Sequence, residues 1–275
     1  MTIAQALIAA GAMGLARLDA QLLLLQAIGR APQDRGWLLA HDRDELDEAR
    51  QGQFMALCRR RLGGEPLAYI AGRCEFFGLA LHVDARVLVP RADTETLVEW
   101  ALELLPAGAG GHVIDLGTGS GAIALAIKAN RPQATVIATD QSTAALQVAA
   151  ENARELDLDL QLRQASWLDG VEERFDLIVS NPPYIAAGDP HLPALQHEPL
   201  RALESGPDGL RDLRSIIAQA PARLAAGGWL LLEHGYDQAE AVRRLLAQAG
   251  FRQVQSRRDL GGIERCSGGQ WLELG

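Results

Sequence analysis

Apolar side chains recur at helical spacing through residues 1–62: Ala6, Leu7 and Ile8, then Leu18 with Leu22 and Leu25, then Trp37, Leu38 and Leu39, then Phe54, Met55, Leu57 and Leu62. Spacings of three and four place such residues on one helix face, so this stretch predicts short amphipathic helices. Gly29, Pro32 and Gly36 break the second from the third, and Asp47 stands where a cap would start a helix running toward Arg61. A bundle of about four or five helices of about three turns each follows, and Gly63-Gly64-Glu65-Pro66 ends it. Residues 67–90 alternate apolar and polar positions around Gly72 and Gly78, which predicts a short hairpin. The expected organisation is a helical bundle over 1–72, a hairpin linker over 73–90 and a second domain over 91–275.

From Val89 onward strand-like runs alternate with helical ones. Strands are expected near 112–116, 134–139, 160–164, 175–180, 228–233, 251–256 and 270–274. Helices are expected near 93–105, 121–130, 142–156, 209–225 and 237–249, with Pro132 and Gly227-Gly228 marking turns. Strand–helix alternation predicts an α/β fold, a parallel sheet covered on both faces. Residues 185–208, rich in Pro, His and Gly, are long for a structureless connection and predict a functional loop over a site.

Composition narrows the class. At 275 residues, 48% hydrophobic and 22% charged, the chain has the apolar material for one large domain with a smaller one attached. Its longest apolar stretches, such as Trp229-Leu230-Leu231-Leu232, fall far short of a membrane span, and Met1-Thr2-Ile3-Ala4-Gln5 lacks a charged signal-peptide start. A cytoplasmic protein is expected. Cys58, Cys74 and Cys266 are scattered without paired spacing, which argues against a disulfide framework or a zinc site. Residues 1–75 carry nine Arg and nine Asp or Glu, so the whole net charge of −9 lies in 76–275. An acidic half disfavours holding duplex nucleic acid, which is usually met by a basic surface, and makes a protein partner the better expectation. Arg59-Arg60-Arg61, the one compact basic run, reads as a solvated helix end.

Two motifs carry chemistry. Ser180-Asn181-Pro182-Pro183-Tyr184 follows the apolar run Phe175-Asp176-Leu177-Ile178-Val179 and so falls at the mouth of a buried strand. There the Asn181 side-chain oxygen and the Pro182 carbonyl can accept the two hydrogens of a planar NH2 group, with the Tyr184 ring packed against its plane. Upstream, Val113-Ile114-Asp115-Leu116 runs into Gly117-Thr118-Gly119-Ser120-Gly121, a glycine turn that lets a ligand approach the backbone. Asp140, after Val136-Ile137-Ala138-Thr139, is placed to accept hydrogen bonds from ribose hydroxyls. The loop alone fits a dinucleotide or S-adenosylmethionine equally, and a ligand-free strand-to-helix turn with Asp140 as a helix cap is the plain alternative. Asp115 favours S-adenosylmethionine, because a carboxylate before the turn can meet the positive amino end of methionine. His191, His197 and Glu198 lie in the following loop without metal-ligand spacing and read as loop polar groups.

Val89-Pro90-Arg91-Ala92-Asp93-Thr94-Glu95-Thr96, the glycine loop from Asp115 to Gly121, Asn181-Pro182-Pro183-Tyr184-Ile185 and Glu233-His234-Gly235 resemble the PrmC (HemK) family of release factor glutamine methyltransferases. The resemblance covers nearly the whole chain, and the Pro-Arg-x-Asp-Thr-Glu segment is its most selective part. It implies a Rossmann-like S-adenosylmethionine-dependent methyltransferase domain behind an N-terminal helical bundle that docks the substrate. The substrate implied is the glutamine of the Gly-Gly-Gln motif of bacterial peptide chain release factors. Carried over by position, Asp115, Gly117, Thr118, Gly119, Ser120, Gly121, Asp140 and Asn181 would hold the cofactor and Trp167 would flank its adenine. Asn181, Pro182, Pro183 and Tyr184 would hold the glutamine amide, with Asn181, Pro182 and Tyr184 as the catalytic set. Ala92 stands where the family has a proline. Gly268-Gly269-Gln270 spells the substrate tripeptide, which reads as a coincidence where a sheet hairpin needs glycines. Two rivals stay open: a methyltransferase acting on exocyclic amines of adenine or guanine, which would need a basic surface to extrude a base, and a non-catalytic adaptor using the bundle to bind a partner.

Overall fold

The computed structural model describes residues 1–108 and 110–272. Two compact units divide it, Met1–Arg73 and Cys74–Gly275. The first contains α1 (Ile3–Ala12), α2 (Arg17–Ala27), α3 (Arg35–Ala40), α4 (Glu48–Leu62) and α5 (Leu67–Ala71). Thr2 and Gln5 form a reciprocal cap at the start of α1, and Asp47 accepts the Arg50 amide at 2.8 Å to start α4; each satisfies donors that a helix end leaves free. The apolar stripes meet in a core that includes Ala6, Leu23, Leu24, Leu38, Phe54 and Cys58. The basic run is less free than a solvated helix end: Arg60 donates to Glu65 and Arg61 to Asp19, each through Nε at 2.7 Å. Leu67–Ala71 is a helical turn rather than the opening of a hairpin, led in by Pro66 and stopped by Gly72 at φ +71°.

The second unit opens with the hairpin β1 (Arg73–Phe76) and β2 (Leu79–His82). Its Phe76 and Leu81 are buried with Trp100 in this unit's own core. A single 3-10 turn, Ala92–Thr94, leads into α6 (Glu95–Leu104). The sheet then builds through β3 (His112–Leu116), α7 (Ala122–Asn130), β4 (Thr135–Asp140), α8 (Thr143–Glu155), β5 (Gln161–Gln164) and β6 (Phe175–Ser180). After α9 (Arg211–Gln219) come β7 (Leu224–Glu233), α10 (Ala239–Gln248), β8 (Arg252–Arg258) and β9 (Glu264–Gln270). The strand order is β5-β4-β3-β6-β7-β9-β8. From β5 to β7 all pairs are parallel, whereas β9 runs antiparallel between β7 and β8. The sheet is therefore mixed at one edge rather than parallel throughout, because β8 and β9 are joined by a hairpin turn and not by a crossover helix.

Three expected boundaries move. The helix expected over 209–225 stops at Gln219 and gives way to a 3-10 turn containing Pro221, which has no amide hydrogen to continue the ladder. The strand expected from 228 begins at Leu224, with a register shift against β6 between Phe175 and Leu177. The last strand occupies Glu264–Gln270 instead of 270–274, of which positions 273 and 274 lie outside the described residues. Gly268 and Gly269 thus sit within β9, paired with Leu231 and Leu230, and not at a turn. A Cβ on Gly268 would stand 2.5 Å from Leu231 Cδ2 and 2.9 Å from the Trp100 ring, and one on Gly269 would stand 2.8 Å from Phe251 Cβ. Large side chains close on both faces of this strand, and only glycine leaves them room.

Two apolar layers flank the sheet. Val113, Val136, Leu177 and Val179 face Leu97, Trp100, Leu125 and Ile127 on one side. Ile114, Ile178, Leu230 and Leu232 face Leu213, Ile216, Val242 and Leu246 on the other. The chain winds outward from β3 through β4 to β5, then returns to place β6 on the opposite side of β3. That reversal opens a crevice at the carboxyl ends of β3 and β6, the place where open α/β sheets bind ligands. No helix among the described residues is long and apolar enough to cross a membrane.

Candidate active site

Both motifs end at this crevice. Leu116 of β3 is in register with Ser180 of β6, and the Ser180 hydroxyl donates to the Leu116 carbonyl at 2.7 Å. The glycine loop therefore leaves β3 beside the point where Asn181 leaves β6.

Gly117 adopts φ +69°, and a Cβ there would lie 3.1 Å from the Trp167 ring. Trp167 itself is held at φ +54°, a left-handed conformation costing a non-glycine residue about 1–3 kcal/mol and concentrated at ligand sites. Asp140 ends β4 and braces the loop: one oxygen accepts the Gly119 amide at 3.0 Å and the other the Ser142 amide at 2.8 Å. Asp115 lies beneath it, fully buried. Its Oδ2 accepts the Thr118 hydroxyl at 2.6 Å, while Oδ1 has no hydrogen-bond partner among the described residues. Burial pushes its carboxyl up to about 7, against the opposing pull of the Thr118 hydrogen bond.

On the β6 side, Asn181 Nδ2 donates to Thr94 Oγ1 at 3.2 Å. The Tyr184 carbonyl accepts Gln238 Nε2 at 2.9 Å, and Gly209, at φ +70°, packs so closely on that carbonyl that a Cβ would overlap it. The Tyr184 hydroxyl points to Glu233 Oε1 at 3.4 Å. Burial, and secondarily the negative charge of Glu233, raise the pKa of this hydroxyl. Glu233 is 1% exposed, and its Oε2 has no partner among the described residues. Burial pushes this carboxyl up to about 7, with Thr94 and Tyr184 opposing the rise by hydrogen bonding.

The Pro90–Glu95 segment binds four separate elements together. Arg91 pairs with Glu198 of the 185–208 loop, and Asp93 with Arg265 of β9 at 3.2 Å. Thr94 takes Asn181, and Glu95 accepts the Phe77 amide of the β1–β2 turn at 2.9 Å. Glu198, expected as an ordinary loop polar group, is buried, and its second oxygen accepts the Val89 amide at 3.1 Å. The loop is ordered by two 3-10 turns, Leu192–Leu195 and Leu200–Ala202. Arg201 then reaches Ser142 Oγ at 2.9 Å.

The crevice is bordered by residues of both motifs. Of the residues expected to hold the cofactor, Gly117, Thr118, Gly119, Ser120, Asp140 and Trp167 line it, and Asn181 and Pro183 line it from the other side. Asp115, Gly121, Pro182 and Tyr184 are not among the residues that line it. Sequence reasoning missed Thr94, Arg86 and Arg201, which also line the crevice, and Glu233 behind it. For Thr94 a signal existed, since it lies in the segment singled out as most selective.

Residues 2–72 match the PrmC N-terminal domain and residues 93–256 the methyltransferase small domain. A release factor glutamine methyltransferase of Bordetella pertussis is 50% identical over 93% of this chain and 95% of its own length. One from Xylella fastidiosa is 50% identical over 96% of this chain and 97% of its own. The chain belongs to this family. A solved methyltransferase from Pyrococcus furiosus, 19% identical, superposes with a TM-score of 0.55 over 78% of this chain and 97% of that one. The PrmC-type chain described here therefore carries the S-adenosylmethionine-dependent methyltransferase fold behind the family's helical N-terminal domain. Its own residues fit that cofactor: an orphaned buried carboxylate oxygen on Asp115 suits a cationic amino group, and Gly117, which carries no Cβ, lines the crevice together with Trp167. Asp140 presents a carboxylate to the crevice where a ribose would lie.

Proposed function

We propose that this chain acts in the cytoplasm, methylating the side-chain amide nitrogen of the glutamine in the Gly-Gly-Gln motif of bacterial peptide chain release factors. The observation that carries this reading is the Asn181 side chain. Its NH2 end is tied to Thr94 at the carboxyl edge of β6, which leaves its oxygen as the acceptor beside the cofactor loop. Near-complete coverage of relatives bearing this activity in their names, helical domain included, supports the substrate. In this reading Gly117 through Gly121, Asp140 and Trp167 hold the cofactor, and Asp115 meets its amino end. Residues 1–72 carry no cofactor motif and serve to dock the release factor.

When bound, S-adenosylmethionine supplies a sulfonium-borne methyl group that leaves a neutral thioether. An amide nitrogen is a poor nucleophile because its lone pair is delocalised into the carbonyl. Asn181 Oδ1 and the Pro182 carbonyl accept its two hydrogens, favour the pyramidal form and point the lone pair at the methyl carbon. In-line positioning of this kind can be worth about 7–11 kcal/mol. The nitrogen becomes acidic as the new N–C bond forms, and its proton leaves to water. Pro183 and Tyr184 wall the amide plane.

The test incubates the protein with isotopically labelled cofactor and, side by side, a release factor, DNA and RNA. Mass spectrometry is expected to find the label on the Gly-Gly-Gln glutamine alone. Label on a nucleobase with that glutamine unmodified overturns the substrate while leaving the fold and cofactor in place.

Asp115 gives a pH dependence of definite sign. Its carboxyl, with a pKa raised to about 7, stabilises the unliganded fold below the ordinary carboxylate range. That contribution is lost as pH climbs through about 7. A cationic ligand prefers the ionised form, so cofactor affinity is expected to rise between about pH 5.5 and 7.5. Calorimetry checks it: the rise is expected to vanish in Asp115→Asn, and an unchanged profile there removes Asp115 from the ligand's amino end.

A further inference from the structure

In the reading above, the Asn181 oxygen and the Pro182 carbonyl must both reach one NH2 group, so the course of the backbone between Ser180 and Tyr184 decides whether they can. Pro182 and Pro183 have no amide hydrogen to donate, while their rings lock two backbone angles. The segment is a stiff link set at its ends. Its near end is fixed by the Ser180 hydroxyl on the Leu116 carbonyl at 2.7 Å, and at its far end the Tyr184 carbonyl accepts Gln238 Nε2 at 2.9 Å. We propose, resting on that reading of the two acceptors, that Gln238 is a positioning residue for methyl transfer, clamping the far end so that the two acceptors keep the spacing that one NH2 group needs.

Gln238 occupies the N-cap of α10, where Ser, Thr, Asp or Asn would serve the helix better, yet its side chain makes no capping bond. Its amide is engaged elsewhere. Oε1 accepts the Gly235 amide at 2.9 Å, just past the end of β7, and Nε2 donates to Tyr184, with the Gly209 carbonyl at 3.4 Å as a second acceptor. These partners are backbone groups of fixed character, a donor on one side and acceptors on the other, so the amide has a single orientation. Gly209 closes over the same bond: a Cβ there would stand 2.3 Å from the Tyr184 oxygen and 2.7 Å from Gln238 Nε2. Immediately beyond Tyr184, the 185–208 loop begins and ends side by side. Ile185 donates to the Leu203 carbonyl at 2.9 Å, and Ser205 to the Ile185 carbonyl and Ala187 to the Gly206 carbonyl at 2.8 Å each. Gln238 therefore ties the end of β7, the exit of the Asn181 segment and the foot of the loop at one point.

Two substitutions of similar length separate the parts of this fastening. Gln238→Met removes both the donor and the acceptor, and is expected to lower kcat about 30-fold, short of the about 100-fold that a misplacement of about 1 Å can cost. KM for the release factor and Kd for the cofactor are expected to stay within about threefold, since the lost restraint serves the reacting geometry. Gln238→Glu keeps the acceptor for Gly235 but sets a carboxylate oxygen against the Tyr184 carbonyl, and its kcat is expected to fall at least as far. In an Asn181→Ala background, Gln238→Met is expected to cost less than about threefold more, because the acceptor it positions is already gone. Full kcat in Gln238→Glu, or additive losses in the double variant, overturns the assignment.

A second readout needs no substrate and so separates failure of this proposal from failure of the functional reading. By amide hydrogen exchange, Ile185, Ala187 and Ser205 are expected to exchange about 10-fold faster in both Gln238 variants, with Ile114 and Ile178 at the centre of the sheet unchanged. Unmoved exchange at the loop foot overturns the fastening, and equal acceleration at Ile114 and Ile178 overturns it too, since Gln238 then serves the fold as a whole. A wild type inert on release factors, with the loop-foot amides quickening as expected in the variants, retires the substrate assignment and keeps the fastening.

Discussion

Asn181→Ala is expected to lower methyl transfer to a release factor about 100- to 1,000-fold, the scale on which removing one oriented hydrogen-bonding group from a reaction centre acts. Cofactor affinity is expected to stay within about threefold, because the glycine loop, Asp140 and Trp167 are untouched. The loss should appear in kcat, since the missing acceptor serves a nitrogen that must become pyramidal as it reacts. Single-turnover kinetics beside calorimetry check both halves. Retained transfer in this variant removes Asn181 from the chemistry. Asn181→Asp sharpens the test: it still accepts hydrogen bonds but puts negative charge beside a sulfonium, stabilising the reactant more than the charge-dispersed transition state. Turnover is expected to fall with cofactor affinity equal or tighter.

Gly117→Ala is expected to weaken cofactor binding about 100-fold, or about 3 kcal/mol. Two effects add at this position. The backbone is at φ +69°, which disfavours any side chain. A methyl group would also stand 3.1 Å from the Trp167 ring, so the ring must move or the loop must open. Trp167 has little freedom to yield, since its own backbone is already in the left-handed region. Calorimetry measures the loss, and thermal unfolding shows whether the fold persists. Near-normal affinity in a folded variant places the cofactor away from this turn.

The centre of the sheet was legible because parallel strands buried on both faces are written as continuous apolar runs. His112–Leu116 and Phe175–Ser180 occupy the positions that their composition predicts. β9 was misplaced because its sequence, Glu-Arg-Cys-Ser-Gly-Gly-Gln, has no apolar pattern. The bulk that fills its surroundings comes from Trp100, Leu231 and Phe251 on other elements, and a sequence window cannot see it. The site divides along the same line. Gly117, Asp140 and Asn181 were found because turn chemistry and strand ends are local. Thr94, Glu198 and Glu233 were not assigned roles because each acts through a distant partner: Thr94 bonds a residue 87 positions away, and Glu198 pairs across 107.

The Pro90–Glu95 segment has a consequence for how this chain can vary. Arg91, Asp93, Thr94 and Glu95 are each tied to a different element, while Ala92 between them is exposed. Composition is free only at that one step, which is where this chain departs from the family's proline. Length has no such freedom. A single inserted or deleted residue would pull several ties out of phase at once, and no one compensating substitution could rejoin them. The segment behaves as a ruler whose spacing is inherited as a block, so divergence among relatives should accumulate there by replacement and almost never by gain or loss of a residue.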